Sequence, residues 1–227
     1  LAATRTSGSP NSNSAMLLEQ VRSRTASVAA PSSGTPQLSY TIEERRETSG
    51  LSYAIRCGPC RMEQSATPRQ ALDALLRRMQ LHVAEEAPEH VFVHAGVVSW
   101  QGKAILLPGR TFSGKTSLVV ALLRQGAVYY SDEYAVLDRC GMVHPYARPL
   151  QVRMANGSRL WTAHMLGAEV GSEPLDVALV VFAKYQVTSC WQARPVSPGN
   201  AMLRLLANTV CARKRPHQAL ACLRLVA

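Results

Sequence analysis

Apolar and polar positions change period several times along this 227-residue chain, and each change marks an element. Residues 37–43 (QLSYTIE) and 51–57 (LSYAIRC) alternate, which predicts two strands separated by the turn-like ETSG. Thr67 followed by Pro68 forms an N-cap and first-turn pair. Ala71, Leu72, Leu75, Leu76, Met79 and Val83 then recur at helical spacing to about Glu86, with Pro88 closing the helix. VFVHAGVVSW (91–100) and KAILLP (103–108) read as apolar strands joined by the short Gln101-Gly102 turn.

The second of these strands runs into PGRTFSGKTS, after which SLVVALLRQ predicts a helix stopped by Gly126. AVYYS then leads as a strand to Asp132-Glu133, a strand expected to lie beside the loop strand. Farther on, YAVLD, PLQVR and DVALVVFAKY read as strands, with a turn at CGMVHPY. SRLWTAHML is expected as a helix. SPGNAMLRLLANTV, capped at Ser197 with Pro198 behind it, and PHQALACLRLVA read as closing helices. Residues 1–36, rich in Ser, Thr, Ala, Pro and Gly, cannot bury enough apolar surface to offset their ordering entropy and are expected to be disordered. The reading is thus a segment 1–36 followed by one α/β domain, 37–227.

Composition narrows the picture. No run of about 18 apolar residues and no charged-then-apolar leader occurs, so a cytoplasmic protein without membrane insertion is expected. The chain begins with Leu, which makes Met16 a candidate start, and a terminal strand is expected beyond residue 227. The net charge of +10 is unevenly spread: residues 37–138 hold 11 basic and 11 acidic side chains, residues 139–227 hold 11 basic and 3 acidic. A basic surface attracts phosphates or an acidic partner, but no aromatic-interleaved basic stretch or zinc-finger spacing favours nucleic acid. Cys57-Gly58-Pro59-Cys60 matches a redox motif in letters. Pro68 and the missing βαβ setting make it a turn carrying two incidental thiols, and no second C-x-x-C completes a zinc site.

The candidate chemistry sits at the loop. Gly109, Gly114, Lys115 and Thr116 fit G-x-x-x-x-G-K-[ST], whose backbone N–H groups, helix start and lysine cradle a polyphosphate. Arg110, Thr111, Phe112, Ser113 and Ser117 complete the nucleotide-binding stretch, and the Thr116 hydroxyl is placed to ligate Mg²⁺. Asp132 suits the metal or a proton, and Glu133 a proton, although neighbours on a regular strand face opposite ways. Either acid can be the base. His94 lies in the preceding strand, and Arg148 and Arg153 are candidates for stabilising transferred phosphate.

Taken in order, H-A-G-V-V, A-I-L-L-P-G-R-T-F-S-G-K-T-S-L and R-Q-G-A-V-Y-Y-S-D-E resemble the catalytic domain of HPr kinase/phosphorylase and the wider HPr-kinase-like group, best over residues 90–150. The resemblance implies an HPr kinase/PEP carboxykinase-like P-loop fold, a mixed twisted sheet with flanking helices. It also implies ATP and Mg²⁺ as ligands, and transfer of the γ-phosphate to a serine-type hydroxyl of a protein, peptide or small molecule. It places His94 near the reacting phosphate, Lys115 on that phosphate, Thr116 and Asp132 at the metal, and Glu133 as proton acceptor where the family has Asp. Homo-oligomers are typical of the group, which leaves self-association open. The family's downstream Glu has no counterpart in QVRMANGSRL, so neither phosphorylase activity nor HPr as substrate is expected. A nucleotide-binding regulatory module or slow ATPase is the alternative, and a structural protein with a vestigial loop a third reading.

Overall fold

The computed structural model describes residues 2–3, 19–21, 38–47, 50–109, 113–154, 157–184, 186, 190 and 192–227. Most of the Ser- and Pro-rich segment 1–36 therefore lies outside the described residues. The chain divides into two compact units, Leu1–Val83 and Ala84–Ala227.

In the first unit β1 (Ala2–Ala3) pairs in parallel with β2 (Ser39–Glu47), which runs antiparallel to β3 (Gly50–Cys57). A further strand, β4 (Cys60–Ser65), turns back on β3, so Cys57 and Cys60 face each other across the Gly-Pro turn as free thiols. The turn matches expectation; β4 does not follow from the pattern, because CRMEQS has no apolar alternation. Helix α1 (Pro68–Glu86) starts where Thr67 Oγ1 accepts the Gln70 N–H at 3.3 Å, an N-cap bond. Its Ala71, Ala74 and Leu75 pack with Tyr40, Tyr53 and Ile55 in one core. Val83, predicted for the buried stripe, is exposed.

The second unit is a mixed α/β arrangement around a curled sheet. Strand β5 (Val91–Trp100) is its centre. On one edge β5 pairs antiparallel with β6 (Lys103–Pro108), and on the other with β7 (Val128–Ser131) and β8 (Tyr134–Leu137). The sheet ends at β9 (Val143–His144) beside β8 and at β12 (Val177–Val180), which lies parallel to β6. Between them β10 (Leu150–Met154) and β11 (Gly157–Trp161) form a separate antiparallel ribbon. Helix α2 (Lys115–Arg124) follows the loop after β6; α3 (Pro198–Leu206) and α4 (Pro216–Leu223) come last. Among the described residues no helix is long and apolar enough to cross a membrane.

Alternation along β5 builds two cores. Val91, Val93, Ala95 and Val97 pack with Leu205, Ala219 and Leu223 of the last two helices. Val98, on the opposite parity, packs with Val119, Val120 and Leu123 of α2. Gly96 shares that second face. A Cβ there would lie 2.6 Å from Val119 Cγ2 and 3.2 Å from Lys115 Cγ, so the missing side chain is what lets the first turns of α2 lie against β5.

Three expectations need correction. The strand carrying Asp132 does not adjoin the loop strand, because β5 lies between them. SRLWTAHML is not a helix: Gly157–Trp161 pairs with Leu150–Met154, and only His164–Leu166 forms a 3-10 turn. Cross-strand hydrogen bonds satisfy a backbone that so short a helix would leave largely unpaired at its ends. Of DVALVVFAKY only Val177–Val180 is strand, with 181–184 irregular and Tyr185 outside the described residues.

Gly96→Ala should destabilise the protein by about 1–3 kcal/mol through overpacking, measured by urea unfolding, and adding Val119→Ala should recover part of the loss. A Gly96→Ala variant of undiminished stability would mean that α2 does not pack this closely.

Candidate functional site

The site is assembled at the end of β6 where the chain enters α2. Gly114 stands at φ 90° as the N-cap of α2, in the left-handed region that glycine adopts without cost. At Gly109 a Cβ would collide with the Ser113 hydroxyl, so the loop closes on itself there. Gly109 N–H donates to His94 O at 3.2 Å, which ties the loop's beginning to β5. Ser113 and Gly114 are half-buried, Thr116 is half-buried and Ser117 is exposed. Arg110, Thr111 and Phe112, expected in the nucleotide-binding stretch, lie outside the described residues.

Lys115 opens α2 and is only 8% exposed. Its Nζ lies 2.9 Å from His94 Nε2 and 3.5 Å from the Gly109 carbonyl oxygen, to which it donates. Burial lowers the Lys115 pKa, and the charges of Asp132 and Glu133 oppose that shift. Burial, with the Lys115 charge adding to it, holds His94 down at about 4. At neutral pH His94 is therefore a neutral imidazole whose Nε2 accepts from the ammonium. The ring packs edge-on to Tyr134, with centroids 5.8 Å apart, and the backbone N–H of His94 donates to the Asn208 backbone carbonyl at 2.8 Å.

The acids come from the break between β7 and β8. Ser131 Oγ accepts the N–H groups of Glu133 and Tyr134 at 3.2 and 3.1 Å, a side-chain turn that interrupts the ladder for two residues. Asp132 faces α2, where its Oδ2 accepts the Thr116 hydroxyl at 2.7 Å. Its Oδ1 is buried and has no hydrogen-bond partner among the described residues. Burial raises the Asp132 pKa to about 6; the Thr116 hydrogen bond and Lys115 pull it back, while Glu133 reinforces the rise. The charge of Glu133 bears on both Lys115 and Asp132.

Arg148 also belongs to this neighbourhood. Its carbonyl accepts the Tyr129 hydroxyl at 2.7 Å, its Nε is buried without a partner among the described residues, and its charge, like that of Glu133, acts on Tyr134 and Tyr146. Arg153 is instead exposed on β10. Gly96, Ser131 and Tyr134 are the contributors that sequence reasoning missed. A glycine inside an apolar strand run is the signal for the first, and a serine ahead of paired acids for the second; nothing in the pattern marks the third. A cleft of about 360 Å³ lined by Glu63, Asp73 and Arg77 belongs to the first unit and holds none of these groups.

Chemically, the second unit offers a buried cation at a helix start, a hydroxyl paired with a carboxylate, and a second, half-buried carboxylate nearby. That set can bind a phosphate chain with a divalent cation and take up a proton. The described residues hold no cluster of three or more His, Cys, Asp or Glu that could hold a metal ion.

His94 should titrate near pH 4 by NMR, and Lys115→Met should move its midpoint upward while leaving it below 6.5, because burial persists. The folded protein binds this proton less readily than the unfolded chain, so the His94 contribution to stability is lost as pH falls from about 6.5 through about 4. A midpoint at the ordinary histidine value would rule out the buried His94-Lys115 contact. Comparison with models of protein families, with curated proteins and with solved structures returns no match to this chain.

Proposed function

We propose that the protein is an ATP-dependent phosphotransferase of the HPr-kinase-like group, moving the γ-phosphate of ATP to a hydroxyl of a protein, peptide or small molecule. The observation that carries this reading is the convergence of Lys115, Thr116 and Asp132 with His94 and Glu133 around one glycine loop. A mixed sheet with flanking helices is compatible with the P-loop fold of that group.

The donor set fits Mg²⁺: a buried carboxylate oxygen without a partner among the described residues, and a hydroxyl 2.7 Å from the other oxygen of the same group. Asp132 and Thr116 are the residues that would hold it, and when bound it supplies positive charge against the phosphate oxygens. Lys115 supplies a second positive charge, in a site where little water screens it. His94, neutral, holds the Lys115 ammonium in place without competing for the phosphate.

The two acids then divide the work. Asp132 is committed to Thr116, whereas the Glu133 carboxylate is half-buried and makes no hydrogen bond among the described residues. Glu133 is the proton acceptor in this reading: the acceptor oxygen forms a bond to the γ-phosphorus, the bond to the ADP oxygen breaks, and the hydroxyl proton passes to Glu133. The slow-ATPase or regulatory reading keeps one specific support, the absence of any acid between Arg139 and Ala168, where the resembled family carries a Glu.

Incubation with γ-labelled ATP, Mg²⁺ and a panel of hydroxyl-bearing peptides and small molecules tests the assignment. Lys115→Ala should lower transfer by roughly 10²–10³-fold, the loss of one preorganised contact to developing charge, and Glu133→Gln should slow transfer while leaving ATP affinity intact. Unchanged transfer in Lys115→Ala would sink the proposal, and phosphate release without any labelled acceptor would favour the ATPase reading.

A further inference from the structure

The β3-β4 hairpin of the first unit is shaped around two cysteines. Its ladder runs evenly from Tyr53 opposite Ser65 to Ile55 opposite Glu63, then slips by one residue, so that Arg56 meets Arg61 and Cys57 meets Cys60. Without the slip Cys57 would stand opposite Arg61. The two-residue turn between the cysteines is fixed by its own residues: Gly58 takes a φ of 55°, in the left-handed region, and Pro59 restricts the next φ. Neighbours fix it further. The Gly58 N–H donates to Ser39 O of β2 at 3.0 Å, and Arg56 Nη2 donates to Pro59 O at 2.8 Å. Read by letters alone the thiols are incidental; β4, the strand that the sequence pattern misses, makes them a pair.

Residues directly opposite on antiparallel strands have Cα atoms about 4.5–5.5 Å apart, inside the range of roughly 4.4–6.8 Å that a disulfide spans. Their side chains also leave the sheet on one face. The two sulfurs differ in access. Cys57 is half-buried and packs on the core built from Tyr40, Tyr53 and Ile55, whereas Cys60 is exposed. An incoming reagent therefore meets Cys60 first, with Cys57 sheltered behind it. A bond closing so short a loop constrains the unfolded chain little, and an exposed disulfide is readily reduced again, so the pair suits reversible chemistry more than a structural staple. A metal is the poorer fit, because among the described residues no group of three or more His, Cys, Asp or Glu could hold one.

We infer that Cys57 and Cys60 are a redox-active dithiol whose substrate is a small disulfide of the glutathione class. The Cys60 sulfur, as thiolate, attacks one sulfur of that disulfide; its S–S bond breaks, and one small thiol leaves carrying the proton that Cys60 gave up. The Cys57 sulfur then attacks Cys60 in the mixed disulfide. The second small thiol leaves with the Cys57 proton, and the Cys57–Cys60 bond closes. Two electrons thus pass from the protein sulfurs to the small disulfide, and an excess of the small thiol runs the sequence backwards. Both cysteines belong to the first unit, so the inference does not rest on the phosphotransferase reading.

Equilibrating the full chain with mixtures of reduced and oxidised glutathione, then quenching with acid, alkylating and digesting with trypsin, tests this. Cleavage after Arg56 and Arg61 releases both cysteines on one peptide, 57–61, whose closed form escapes alkylation and is lighter than the dithiol by two hydrogen atoms. At equal glutathione ratios the folded chain should hold a disulfide-to-dithiol ratio at least about 10-fold higher than the chain in urea, because the hairpin holds the sulfurs together. Cys57→Ser should accumulate glutathione on Cys60, and Cys60→Ser should take it up on Cys57 at least about 10-fold more slowly. An equal ratio in urea, a peptide that stays dithiol in every mixture, or wild-type peptide that carries glutathione without closing would each overturn the assignment.

Discussion

Burying the Lys115 ammonium is the constraint on which the second unit depends. A lysine 8% exposed loses most of its hydration, and an uncompensated charge in such a place is costly. Compensation comes from three directions: a neutral imidazole, a loop carbonyl oxygen, and two carboxylates whose charges reach it. Each requires a local device. The imidazole stays neutral because it is itself buried next to the cation. The helix that carries Lys115 lies close to β5 because Gly96 has no side chain. The carboxylates arrive because Ser131 breaks the strand before them.

That break also gives two adjacent acids different surroundings. On an unbroken strand they would point to opposite faces, one toward α2 and one toward the last two helices. With the Ser131 turn in place, Asp132 is enclosed and bonded to Thr116, while Glu133 keeps contact with solvent and stands near the Tyr134–Tyr146 ring pair. Enclosure raises the pKa of Asp132 to about 6, which makes a cation at its free oxygen more favourable, since the cation removes the penalty that burial imposes. Environment, more than residue type, separates the roles of the pair.

Charge is arranged on a larger scale by the same economy of elements. The loop helix has one side against β5 and another against the root of the β10-β11 ribbon. The acids of the second unit lie in three stretches, Glu85 to Glu89, Asp132 to Asp138 and Glu169 to Asp176, and none falls between Arg139 and Ala168.

By itself the sequence determined the local pieces. The glycine loop between strand and helix, the Thr67 cap, the Gln101-Gly102 turn with φ of 50° and 74°, and the helices beginning at Pro198 and Pro216 all rest on short-range rules, and all are found. His94, Lys115, Thr116, Asp132 and Glu133 were legible as candidates because their residue types and order match a phosphate chemistry. What only the tertiary structure decided is adjacency: that β5, not the loop strand, lies next to Asp132, that residues 157–161 pair as a strand instead of coiling, and that Arg148 reaches the tyrosines. Strand partners are chosen by contacts between residues far apart in the chain, and a periodicity read within one segment carries no record of them.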